Sequence, residues 1–133
     1  MPLPPLKLVY DLRSDQRYIS DVQDATLTTK NFGITQDHGL FGSTNWWKAV
    51  ESGELPLHKM EGILSRVYMS GHNDFAEFEL SDGVRKQSWA RRGPDGQYVE
   101  GAPAMVEYVH TKSRFDNAIR ETVVRIWVGE SAA

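Results

Sequence analysis

Ala76-Glu-Phe-Glu-Leu-Ser-Asp-Gly-Val-Arg-Lys-Gln-Ser-Trp89 is the stretch that decides the fold. Apolar and polar residues alternate along its first half, the period of a half-buried strand. Asp82-Gly83 then gives a hairpin signal, because both central positions of a type I′ turn need positive φ. A two-residue turn between Ser81 and Val84 sets Leu80 opposite Arg85, Glu79 opposite Lys86, Phe78 opposite Gln87 and Ala76 opposite Trp89. One face of the pair then carries Ala76, Phe78, Leu80 and Trp89. The other carries Glu79 and Lys86, an opposite-charge pair that is favourable across strands.

The same logic extends upstream through Met69-Ser-Gly-His-Asn-Asp-Phe75. A four-residue loop over 70–73 sets Met69 opposite Asp74, Val67 opposite Ala76, Arg66 opposite Glu77 and Ile63 opposite Leu80. Ile63 and Val67 then join the apolar face. Leu64, Tyr68 and Phe75 gather on the outer face, where three apolar groups call for a cover, either another part of the chain or a second copy. Consecutive antiparallel strands are therefore expected at 61–69, 74–81 and 84–91. Beyond a Gly-Pro-Asp-Gly turn at 93–96, further strands are expected at 104–111 and 122–128, with apolar groups on both faces. The expectation is a mainly β domain: a small antiparallel five-stranded barrel or half-barrel with one short helix. Its strand pattern is SH3-like or OB-like, a likeness of architecture that carries no function by itself.

Residues 1–60 are less regular. Strand signals are weak at 6–10, 18–22 and 25–32. One helix is expected at about 44–52, with a capping oxygen from Ser43, Thr44 or Asn45 and a stop at Gly53 before Pro56. Trp46, Trp47 and Val50 fall to one side of it, and so short a helix must pack that side to persist. Three prolines in the first five residues predict an extended start.

The bulk numbers fit one domain spanning residues 1–133. Hydrophobic residues make up 40% and charged residues 25%, ordinary for a globular protein with its own core. No cysteine is present, which excludes disulfides and thiolate metal sites. The net charge of −3 argues against an overall electrostatic grip on nucleic acid. No apolar run approaches the ~18 residues of a membrane span. The start, MPLPPLKLVY, lacks the basic and long apolar regions of a signal peptide, so the expected location is the cytoplasm.

Five groups of residues carry candidate chemistry. His72 and Asp74 have the types and spacing of metal ligands, with His58 or His110 to complete a site, although the segment reads more simply as a hairpin tip. Trp89, flanked by Arg91 and Arg92, suits stacking of single-stranded nucleic acid on a positive groove, yet the register puts Trp89 on the core face. Trp46 and Trp47 suit either core or a binding anchor. Tyr68 and Phe75 lie on the outer face. Asp37-His38-Gly39 reads as a connector rather than a base-catalytic pair. There is no Gly-x-Ser-x-Gly, Walker, Gly-x-Gly-x-x-Gly or His-Glu-x-x-His motif. The leading expectation is a non-catalytic binding or assembly module without a cofactor. Its partner is itself, as a homodimer, or another protein; a small-molecule ligand is compatible. A single-stranded nucleic-acid binder and a metal-assisted hydrolase are the alternatives.

Overall fold

A computed structural model describes residues 6–72 and 74–130, so the proline-rich start and Asn73 lie outside the described residues. The strands are β1 (Lys7–Asp11), β2 (His58–Ser70), β3 (Phe75–Ser81), β4 (Lys86–Ala90), β5 (Pro103–Lys112) and β6 (Ile119–Val128). Two α-helices, α1 (Gln16–Thr28) and α2 (Thr44–Ser52), separate β1 from β2. The strands form a six-stranded antiparallel sheet in the order β1-β6-β5-β2-β3-β4.

The β-rich, antiparallel character is as expected, but the sheet is open. Of the expected barrel or half-barrel, the closed form is excluded by the place of β5, which pairs with the free side of β2 instead of continuing from β4, and β1 makes the sheet six-stranded where five strands are expected. β4 is left as an edge. It is only five residues long and exposes Lys86, Ser88 and Ala90, features that discourage further pairing.

The second correction is α1, which replaces two expected strands. Its N-cap is Asp15, whose carboxylate accepts from the Tyr18 N–H at 3.3 Å. β-Branched threonines made the region look extended. Their hydroxyls instead donate to carbonyls one turn back: Thr26 to Val22 at 2.8 Å and Thr28 to Asp24 at 2.5 Å. Thr29, the C-cap, bonds Ala25 in the same way at 2.5 Å. α2 forms as expected. Ser43 caps Trp46 N–H at 3.3 Å, and Gly53 ends the helix at φ 85°.

Both hairpin registers differ by two residues from expectation. Asp82 Oδ1 accepts from the N–H groups of Val84 (2.9 Å) and Arg85 (2.8 Å), which makes residues 82–85 a four-residue loop. Ser81 therefore faces Lys86, and Phe78 faces Trp89. In the other hairpin Ser70 faces Phe75 and Tyr68 faces Glu77. A shift of two leaves every side chain on its expected face. The expected cross-strand pairs Glu79–Lys86 and Arg66–Glu77 are replaced, and Arg66 now faces Glu79.

A bulge changes the faces themselves. The β2–β3 register slips between Leu64 and Arg66, so Leu64 faces Leu80 and Ile63 faces Ser81. One extra residue turns Leu64 inward, fully buried, and leaves Ile63 46% exposed. This corrects the expected Leu64–Tyr68–Phe75 patch and the inward Ile63. Gly62 is required beside the bulge, since a Cβ there would collide with the Ser81 carbonyl.

The chain divides into two compact units: Met1–Tyr10, Lys59–Val106 and Arg125–Ala133 form the first, Asp11–His58 and Glu107–Val124 the second. The first is centred on Leu64, Phe78, Leu80 and Trp89, with the Phe78 ring 5.1 Å from Tyr98. The second is centred on Leu12, Ile19, Phe41 and Trp46, with the last two rings 4.8 Å apart. Leu64→Ala is expected to cost about 2–5 kcal/mol in urea unfolding. Ile63→Ala should cost no more than about 1 kcal/mol. The opposite ranking would restore the unbulged ladder.

Candidate functional site

The bulge builds a concave surface in the first unit. Ile63, turned outward, forms the floor of a groove of about 870 Å³ together with Leu6, Pro103 and Ala104. β2 is held against the segment entering β5 by paired bonds. Leu64 N–H donates to the Ala102 carbonyl and Gly101 N–H donates to the Leu64 carbonyl, both at 2.8 Å. Glu61, Asp82 and Glu130 also line it, so the charged residues lining the groove are all carboxylates. Two have neighbouring cations at long range: Lys59 is 3.6 Å from Glu61, and Arg85 is 3.8 Å from Asp82. Exposed pairs of this kind contribute little. The backbone N–H groups of Arg85 and Val84 hold the Asp82 carboxyl below its usual range, so it stays ionised at neutral pH.

The second unit presents two exposed aromatic features. The rings of Phe32 and Phe115 stack in parallel, 5.9 Å apart, although the residues are 58% and 68% exposed. Arg114 sets this stack by donating to the carbonyls of Thr26, Lys30 (2.9 Å) and Phe32 (3.1 Å). On α2, Trp47 is half-buried under the Arg13 guanidinium, 4.5 Å from the ring centre, and Arg13 pairs with Glu51 at 2.7 Å.

The expected site residues are distributed differently. Trp46 and Trp89 are buried, at 3% and 6% exposure, and neither offers a face for stacking a base. Tyr68 is half-buried. Its hydroxyl donates to Glu77 at 3.1 Å, and the Arg66 guanidinium lies 4.1 Å from its ring. Phe75 is 64% exposed. Arg91 donates to the Tyr68 carbonyl at 3.1 Å, and Arg92 lies over the Tyr10 ring at 5.7 Å. Both arginines serve the fold of the first unit. His72 and Asp74 are exposed on the β2–β3 loop. His58 and His110 do come together, ring centres 4.6 Å apart, with Tyr108 stacked on His58 at 5.5 Å. Among the described residues, no three or more histidines and carboxylates are arranged to hold a metal. Asp37 accepts from the Thr35 hydroxyl at 2.7 Å within the connector.

A model of the family described as Immunity protein RhsI2 matches residues 6–123. The chain belongs to that family. No curated protein matches it. The RhsI2 match runs from the start of β1 into β6 and takes in both helices and most of the groove; Glu130 lies beyond it. It also takes in the Arg114 clamp and the Phe32–Phe115 stack. Arg114→Ala is expected to lower unfolding free energy by about 1–3 kcal/mol, because backbone carbonyls lose a charged donor. Arg114→Lys should recover little of it, since a point charge cannot serve three carbonyls as a planar fork does. Thermal unfolding of both variants checks this, and full rescue by lysine would refute the clamp.

Proposed function

We propose that this chain is an immunity protein that acts as a non-catalytic binding module and neutralises a partner toxin by occupying its surface. The observation that carries the reading is the family match across residues 6–123, nearly the whole described fold. The structure supports it in kind. Its exposed large apolar groups and its apolar groove are features of a surface that receives a macromolecule. Blocking by occupancy needs no nucleophile or cofactor. It needs a surface complementary to the partner and rigid enough to bind without a large ordering cost.

Isothermal titration of the protein with its cognate toxin domain tests the reading. The expected result is a stoichiometric complex with a Kd at or below about 10⁻⁷ M, the range of stable complexes of ordinary interface size. The toxin's activity should fall in proportion to the complex formed. A toxin that remains free and active in excess immunity protein would overturn the proposal.

A further inference from the structure

We infer that the Ile63 groove is where the toxin docks, and that it takes a segment carrying an apolar side chain flanked by lysine or arginine. This inference rests on the toxin-binding reading above and adds the place and the chemistry of contact.

Three observations converge on the groove. The first is the cost of making it. Ile63 is a large hydrophobe that an unbulged strand would direct inward, and the bulge gives up ladder regularity to turn it out. The floor it forms with Pro103 and Ala104 is apolar, and about 870 Å³ is space for several side chains. The second is charge. Glu61, Asp82 and Glu130 line the groove without a lining cation. An apolar lining that holds three carboxylates and no cation, two of them only weakly paired from outside it, is complementary to a segment that is apolar at its centre and cationic at its margins. The third is availability. Lys59 and Arg85 lie at 3.6 and 3.8 Å from the carboxylates they neighbour, in exposed pairs that an incoming cation displaces at little cost.

The other exposed features have less to say about an occupant. The Phe32–Phe115 stack has Lys30 and Arg114 around it, and Arg114 is spent on backbone carbonyls. Trp47 is already covered by Arg13. Neither combines concavity with a single sign of charge.

The test is a heteronuclear NMR titration of the ¹⁵N-labelled full chain with the cognate toxin domain, joined to affinities of two variants. Amide shifts are expected to centre on Gly62, Ile63, Gly83, Gly101 and Ala104. Ile63→Ser should weaken binding by about 100-fold, as loss of a central apolar anchor does. The double variant Glu61→Lys, Glu130→Lys should weaken it by about tenfold and flatten its dependence on salt. All three residues are exposed, and unchanged melting temperatures verify that the variants fold. Wild-type binding with a footprint on Phe32 and Phe115, and full affinity for both variants, overturns the groove and leaves the toxin-binding reading standing. A groove footprint with salt-independent affinity overturns the cationic partner. No complex with the wild-type protein overturns the function and the groove together.

Discussion

One inserted residue in β2 sets most of what is distinctive about this molecule. Ser65 sits where two residues of β2 oppose one of β3. Its hydroxyl donates to the Glu79 carbonyl at 3.2 Å and to the Glu79 carboxylate at 2.9 Å. The local partner thus compensates part of the disrupted ladder, as polar groups at a bulge must be satisfied somewhere. On one side of the bulge, Val67 faces Phe78; on the other, Leu64 faces Leu80. A regular strand could not place both inward, because residues three apart point to opposite faces. The bulge reconciles the core with the sequence, and the outward Ile63 is the geometric remainder.

Strand pairing was legible from sequence wherever it depended on local signals. The β2–β3–β4 succession follows from two turns and an alternating pattern, and its faces hold from Arg66 onward because both registers differ from expectation by two residues and not by one; upstream of Arg66 the bulge reverses them. The turn error has a plain cause. Asp-Gly favours a two-residue turn through positive φ, but Asp82 also offers a carboxylate, and two N–H bonds to it stabilise a wider loop. α1 is masked in the sequence by the β propensity of its threonines and isoleucine. The helical signal was present as Ile19, Val22, Gln23 and Thr26 at i, i+3, i+4 and i+7, behind an aspartate at the N-cap. The open sheet was beyond local reading, since it depends on which edge β5 chooses.

The candidate surfaces were less legible for the same reason. Ile63, Asp82 and Pro103 belong to different hairpins and meet only after β5 has paired with β2. Phe32 and Phe115 stand far apart in the chain and touch only because Arg114 ties the end of α1 and the residues after it to the β5–β6 hairpin. Trp46 and Trp89 drew attention by residue type, and burial took both out of contention. Residue type identifies groups capable of binding; only the fold decides which of them face outward.

Charge distribution carries the argument one step further. The net −3 of the chain is unevenly held: the second unit has ten carboxylates and seven cations, while the first has eight of each. A reading from net charge would send a cationic partner to the second unit. The groove lies in the neutral one, where three of the eight carboxylates line it and no cation does, although Lys59 and Arg85 stand beside two of the three. At physiological salt the Debye length is about 8 Å, so a partner in contact responds to the groups within a side chain's reach and hardly to the total. On the docking proposal, a cationic segment in the groove would exchange the weak exposed pairs of Glu61 and Asp82 for contacts better shielded from solvent.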